Sequence, residues 1–375
     1  MNNEKKRDVC AIFNIGAHYR FPIYKRMDED LNCDFYIGDY VQTSLQVFDY
    51  TQLKGYKRKL RNKYWGKFYW QSQSVRLIFK PYTHYIITGD PYCVSTWVIL
   101  VLSKILRKTT IAWTHGWYGR ESAIKKYVKK IYFSLYDKLM IYGEYAIELM
   151  RQEGIPSEKM ECIANSLDSD RERELRNLLA PSSIFYDYFQ NNYPTIIYCG
   201  RIQKVKKLEM IIDSVKILKD EGVNVNVVIV GKDDEGVHLR DYANACDIDK
   251  QLWLYGPCYD DKLLAELFYN ASVCVSPGNV GLTAIHSLSF GCPVITHDNF
   301  PLQMPEFEAI IPNVTGGFFA WNNVCDLAKE IKKWISLNPQ QRLDVRKASF
   351  EEIDRKWNVH YQMKVIRKVL DELKS

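Results

Sequence analysis

The ten cysteines of this chain form no CxxC pair and no zinc-finger spacing, which excludes the common cysteine-built metal and redox motifs. No G-x-x-x-x-G-K-[ST] loop exists, despite Gly231-Lys232, and no G-x-G-x-x-G, so the two familiar nucleotide fingerprints are absent. Long apolar runs are also missing. The longest, Val94 to Leu106, is interrupted by serine and lysine and is too short to span a bilayer. A large excess of either charge is absent too: the net charge is +6, too mild to imply nucleic acid. The polar start, MNNEKKRDVC, passes directly into an apolar run, so no signal peptide is expected. Most cysteines, such as Cys199 and Cys274, lie in apolar runs, which predicts buried free thiols in a reducing compartment.

What is present is enough apolar material for two domains. The chain has 375 residues, 47% of them hydrophobic, which supports two cores of ordinary size. The 26% charged fraction gives no sign of wholesale disorder. The organising stretch is ASVCVSPGNVGLTAIHSLSFGCPVITHD, Ala271 to Asp298. Val273 to Ser276 reads as a short buried strand, broken by Pro277, Gly278 and Asn279. Leu282, Ile285, Leu288 and Phe290 follow at roughly helical spacing, Gly291 is a stop, and Pro293 to Thr296 is a second strand. The free N–H groups at such a helix start favour an anion. Gly278 and Gly281 let a ligand approach the backbone. An ordinary crossover with turn glycines fits the same residues.

PGNVGLTAIHSLSFGCPVIT resembles the donor-binding segment of family 4 glycosyltransferases, which have the GT-B fold. That segment usually reads S-x-x-E-G-F-G-L-x-x-x-E-A-x-x-x-G-x-P-V-I. Gly281, Leu282, Gly291, Pro293, Val294 and Ile295 match. The two glutamates do not: Gly278 and His286 stand in their places. The first usually contacts the transferred sugar and the second the nucleotide ribose. Further along, Gly200 and Arg201 with Lys206 resemble G-R-L-x-x-x-K-G, with Lys207 for the last glycine. Leu252 to Tyr255 with Gly256 resemble V-x-F-x-G, whose end borders the base, and Val314 to Phe319 resembles the T-G-x-L turn.

The resemblance implies an α/β fold of two Rossmann-like domains facing each other across a cleft. Residues 1–175 would form the acceptor-side domain, residues 190–356 the nucleotide-sugar domain, and helix 357–375 would pack back on the first. It implies a retaining, hexosyltransferase-type enzyme using a nucleoside diphosphate sugar and a glycan or lipid-linked saccharide acceptor, as in surface polysaccharide assembly. Arg201 and Lys206 would bind the diphosphate, since arginine offers a fork of donors and lysine a point charge. Gly231, Tyr255, Gly256, Gly278, Asn279, Val280, Gly281, Leu282 and Thr283 would line the donor. His286 is expected either at the ribose, making one hydrogen bond, or packed in its helix's buried face. No metal and no cofactor are expected.

The N-terminal half reads less sharply. Val9 to Ile15 predicts a buried strand ending at Gly16, which is either a donor- or acceptor-facing glycine or a plain strand end. Thr110 to Trp113 is a strand that delivers THGWYG, so His115 sits where α/β sheets place functional groups. The resemblance puts a sugar-contacting histidine there; a structural histidine is the alternative. No acid occurs between Asp49 and Asp90, while KGYKRKLRNKYWGKFYW interleaves bases with aromatics. Residues 51–80 therefore suggest an anionic membrane surface, an RNA-like surface or a solvated basic face. Lipid-linked acceptors favour the membrane, with the protein cytoplasmic on its inner face and no nucleic acid partner. IKKYVKKIYF, Ile124 to Phe133, extends that face or is a surface helix. Asp168-Ser-Asp170 spells a metal D-x-D, but it opens a charged stretch, Asp168 to Arg176, read as a linker. A GT-B epimerase and a non-catalytic nucleotide- or glycan-binding module remain as alternatives, since fold alone cannot separate them.

Overall fold

A computed structural model describes residues 7–43 and 45–374; residues 1–6 of the polar start lie outside the described residues. The chain divides into two compact units, one running to Leu167 and resuming at Asn358, the other Asp168–Trp357.

In the first unit, β1 (Val9–Phe13), β2 (Asp34–Gly38) and β3 (Tyr56–Leu60) precede a hairpin of β4 (Asn62–Trp65) and β5 (Phe68–Gln71). Then come β6 (His84–Thr88), β7 (Thr109–Thr114), β8 (Lys138–Ile141) and β9 (Met160–Cys162). The parallel sheet has the order β3-β2-β1-β6-β7-β8-β9. Along β1, Val9, Ala11 and Phe13 pack into one apolar core, while Cys10 and Ile12 pack into another. This period of two buries the strand on both faces, as a parallel sheet between helix layers requires. The helix Val359–Glu372 belongs to this unit. Its Gln362 accepts from the Ser166 hydroxyl at 2.7 Å and Tyr361 donates to the Cys162 carbonyl at 3.1 Å.

The second unit contains β10 (Thr195–Cys199), β11 (Asn226–Val230), β12 (Leu252–Gly256), β13 (Val273–Ser276), β14 (Val294–His297) and β15 (Gly316–Phe319). Their order is β12-β11-β10-β13-β14-β15, the doubly wound arrangement with its reversal between β10 and β13. The helix Glu209–Asp220 buries Met210, Ile211, Ile212, Val215 and Leu218 against this sheet. Each such side chain contributes about 1.5–3 kcal/mol relative to exposure.

Two sequence expectations are corrected here. The charged run read as a linker is a helix, Ser169–Arg176, capped by the Asp168 carboxylate on the Arg171 amide and belonging to the second unit. The unit boundary therefore precedes residue 175. Val314 to Phe319, read as a turn, ends in strand β15, where Gly316 lies against the Val294 carbonyl too closely for any side chain. None of the ten cysteines is in a disulfide, six of them are buried, and burial pushes the Cys199 and Cys292 thiols up to about 12.

Candidate functional sites at the carboxyl ends of the two sheets

In the second unit, neighbouring strands end on glycine. Gly256 closes β12, Gly231 follows β11, Gly200 follows β10, and Gly278 follows β13. The Gly231 amide donates to the Gly256 carbonyl at 2.9 Å and the Gly200 amide to the Val230 carbonyl at 2.9 Å. A Cβ on Gly231 would collide with the Gly200 carbonyl, and one on Gly278 with the Val205 carbonyl. The backbones are thus close-packed, and these four residues add no side chains of their own to this end of the sheet, although the Tyr198 hydroxyl and Thr283 flank Gly200. Gly256, at φ +86°, faces open space, while Tyr255 packs on Trp253 at 5.2 Å.

At the reversal between β10 and β13 stands Lys206. Its ammonium donates to the backbone and side-chain oxygens of Asn279, both at 2.7 Å. Burial pushes its pKa down to about 8, helped by the Arg201 charge and opposed by Glu306. The lysines precede the helix, which begins at Glu209, and Lys207 turns the chain at φ +52°. Arg201 is exposed beside it. The Gly278 amide already donates to the Lys206 carbonyl at 3.0 Å, and the Val280 amide to the buried Gln303 at 2.9 Å. The donors left to meet an anion are therefore those at the helix start, from Gly281 at φ +54° through Leu282 to Thr283. Thr283 fixes that start by donating its hydroxyl to the Cys199 carbonyl at 2.8 Å. Gln303 was not singled out in the sequence; it lies outside the motif and reaches the loop only through the fold.

His286 is held within the unit. Its Nδ1 lies 2.6 Å from Glu172, whose other oxygen accepts from Ser289 at 2.7 Å. Phe268 and Phe290 meet the imidazole edge-on, each at 5.2 Å, and Nε2 is buried with no hydrogen-bond partner among the described residues. Of the two readings of His286, this geometry supports packing. Asp168 caps its helix through one carboxylate oxygen, which accepts from the Arg171 amide at 3.2 Å, and among the described residues no group of three or more acids, cysteines or histidines is gathered as metal ligands.

The first unit carries a cavity of about 750 Å³. It lies at the carboxyl ends of β1, β6, β7 and β8, around the place where this sheet's strand order also reverses. Asn14, Arg20, Asp90, Trp113, His115 and Tyr142 line it. Burial, with the charges of Arg20 and Lys129, pushes His115 down to about 3, so its imidazole is neutral at physiological pH. Burial raises Asp90. Gly16 does not bare its backbone to this cavity: its amide donates to the Tyr50 hydroxyl at 3.1 Å, and the Tyr50 ring fills the space of a Cβ. Asp90 and Tyr142 carried no sequence signal beyond lying just after strand ends, and Arg20 carried none.

Residues 186–352 match the family described as Glycosyl transferases group 1. No curated protein matches the sequence. Among solved structures, the chain is similar to a glycosyltransferase from Rickettsia africae, with TM-score 0.75, 14% identity, and 99% of each chain covered. It is also similar to HepE from Anabaena in complex with UDP, with TM-score 0.73, 14% identity, 97% of this chain and 100% of that one. A third is the lipopolysaccharide outer core galactosyltransferase WaaB, with TM-score 0.70, 14% identity, 97% and 99% coverage. These likenesses show that the two Rossmann-like units form the GT-B fold.

Proposed function

Since residues 186–352 match the family described as Glycosyl transferases group 1, we propose that the chain is a retaining, metal-independent glycosyltransferase. Its donor is a nucleoside diphosphate sugar, and its acceptor is a glycan or lipid-linked saccharide in surface polysaccharide assembly. One observation carries the donor assignment: the run of glycines at the carboxyl ends of four neighbouring strands of the second sheet, beside Lys206. Bare backbone admits a nucleotide, and a fixed ammonium meets its diphosphate. HepE, of the same fold, is described with UDP-glucose bound, and WaaB acts on lipopolysaccharide by its description.

Cleavage of the sugar–phosphate bond leaves negative charge on the departing diphosphate. Arg201, Lys206 and the amides from Gly281 to Thr283 would stabilise that charge where it develops, which is electrostatic catalysis without a metal or other cofactor. His115, being neutral, would orient or polarise a sugar by hydrogen bonding rather than protonate it.

The same proposal assigns the first unit to an anionic membrane surface on the cytoplasmic side. The helix Ala123–Ser134 exposes Ile124, Tyr127, Val128 and Ile131 beside the exposed Lys125 and Lys130. The β4–β5 hairpin exposes Trp65 and Phe68 beside Lys63 and Lys67. Aromatics at the interface and cations over anionic head groups suit a peripheral contact. No helix among the described residues is long and apolar enough to cross a membrane.

The test is incubation with a panel of nucleotide sugars, beginning with UDP-glucose, with and without EDTA. Diphosphate release that survives EDTA supports the proposal. An isomerised donor would point to an epimerase, and tight binding without turnover to a binding module. Vesicle sedimentation tests the membrane part: binding should require anionic lipid and weaken with salt.

A further inference from the structure

The cavity of the first unit contains a cation that the protein itself does not neutralise. Arg20 sits between a short turn, His18–Arg20, and the helix Phe21–Leu31. Its guanidinium carbon lies over three rings, Tyr142 at 5.0 Å, Tyr19 at 5.4 Å and Trp113 at 5.5 Å. Its Nε donates to the Tyr19 hydroxyl at 3.3 Å. An arginine has five N–H donors in a planar fork. Among the described residues Arg20 forms no ion pair, and its terminal nitrogens make no hydrogen bond, yet they are not sealed from the cavity.

The other charges facing this space are either occupied or of the same sign. Lys129 donates to the Gly116 carbonyl at 2.6 Å and pairs with Glu121 at 2.7 Å. Asp90 takes the Tyr92 amide at 3.0 Å. Arg120 and Lys125 are exposed and add positive charge. His115 stays uncharged. Around the guanidinium the walls are aromatic, Tyr19, Trp113 and Tyr142, and Phe68, Tyr92 and Tyr118 also line the cavity. A partly buried arginine packed over rings at a cavity wall, with terminal N–H groups that no described residue takes up, suits a planar or tetrahedral oxyanion. The aromatic walls offer flat apolar faces for the C–H face of a sugar ring.

We propose that this cavity binds a saccharide bearing an anionic group, a phosphate or a carboxylate, with the anion on Arg20 and a sugar ring against the aromatic walls. That this ligand is the acceptor rests on the glycosyl-transfer reading above; the binding itself does not.

The experiment is calorimetry on the full chain with glucose 1-phosphate, glucuronate and glucose, with UDP as an independent probe. Wild type should bind at least one anionic sugar tenfold or more tightly than glucose, and the tighter of the two names the group. Arg20→Gln should lose that preference by at least tenfold while UDP affinity stays within twofold. Arg20→Lys, which keeps the charge but not the fork, should fall between. Equal affinity of wild type for glucose and both anionic sugars, or an unchanged preference in Arg20→Gln, overturns the inference. Failure of wild type to bind UDP would count against the donor reading and leave this one standing. Should Arg20→Gln not fold, phenylglyoxal labelling of wild type, mapped by mass spectrometry, decides. Glucose 1-phosphate or glucuronate should protect Arg20 where glucose does not; equal labelling under all three overturns the proposal.

Discussion

The two units share a strand pattern but prepare their sheet ends in opposite ways. In both, the strand order reverses once and the carboxyl ends meet at that reversal. The second unit uses backbone there: glycines on four neighbouring strands, a lysine clasped to Asn279, and a glutamine bracing the loop. The first uses side chains: an arginine, a neutral histidine and a ring of aromatics around open volume. A bare backbone suits a ligand recognised by its diphosphate, a feature common to many donors. A side-chain-lined cavity suits a ligand recognised by shape and by one fixed charge. On this view donor and acceptor chemistry are divided between two kinds of surface.

The sharpest way to break this comparison is Lys206→Ala. Loss of one preorganised cation at the diphosphate should cost about 2–4 kcal/mol of transition-state stabilisation. Steady-state kinetics should show it in kcat/KM, with glucose 1-phosphate binding at Arg20 intact. Near-wild-type turnover would mean that Lys206 is only a clasp for Asn279. Gly278→Ala comes next. Its Cβ would lie 2.7 Å from the Lys206 Cα and collide with the Val205 carbonyl, and neither backbone can swing aside. Overpacking of this kind costs about 1–3 kcal/mol, measurable by urea unfolding. An unchanged midpoint would show that the loop is looser than its packing implies.

The third prediction uses the ionisation of Lys206. Its folded pKa of about 8 lies below the ordinary lysine value. Below pH 8 the ammonium is charged and available to the diphosphate; above, it loses that charge. UDP affinity should therefore fall roughly tenfold from pH 7 to pH 9, one decade per unit past the pKa. Lys206→Arg, charged throughout, should flatten the profile. Folding stability moves the other way. The unfolded chain holds more protons than the folded one between about pH 8 and the ordinary lysine pKa near 10.4, so this lysine's contribution rises with pH across that window. A pH-independent UDP affinity in wild type would remove Lys206 from the diphosphate.

This contrast also explains what the sequence disclosed. Val273–Ser276, Thr195–Cys199 and the helix Glu209–Asp220 were legible because strands buried on both faces read as apolar runs and a one-sided helix repeats its apolar face. The glycine turns were legible because backbone crowding leaves no other residue type. The helix Ser169–Arg176 was not, since Leu175 is its one apolar residue. It is anchored by polar bonds, Glu172 to His286 and Ser289, and Arg176 to Asp354, which leave no periodicity. β15 was read as a turn because paired glycines look like one, although here they admit a neighbouring strand. The cavity around Arg20 was invisible for another reason. Its members come from the ends of four different strands and the segments after them, and only the fold brings them together.

The smallest expected effect concerns His286, and it decides whether side-chain recognition reaches into the second unit. At this position the resemblance expects a ribose-binding glutamate. The structure instead gives the imidazole a carboxylate of its own, Glu172, 2.6 Å from Nδ1. A carboxylate there accepts the Nδ1–H and leaves the lone pair on Nε2. That atom could in principle accept a ribose hydroxyl, but it is buried and the rings of Phe268 and Phe290 pack edge-on against the imidazole. A hydroxyl could reach it only by displacing packed aromatics, which a single hydrogen bond worth about 1 kcal/mol would not repay. His286→Ala should therefore change the discrimination between UDP and 2′-deoxy-UDP by less than about twofold, or roughly 0.4 kcal/mol. Stability should suffer more, because Glu172 would lose its partner while still bonded to Ser289. Calorimetry with both nucleotides and urea unfolding of the same variant separate the two effects. If His286→Ala abolishes a clear preference for UDP while unfolding like wild type, the imidazole reads the ribose after all. The second unit would then use side chains as the first does.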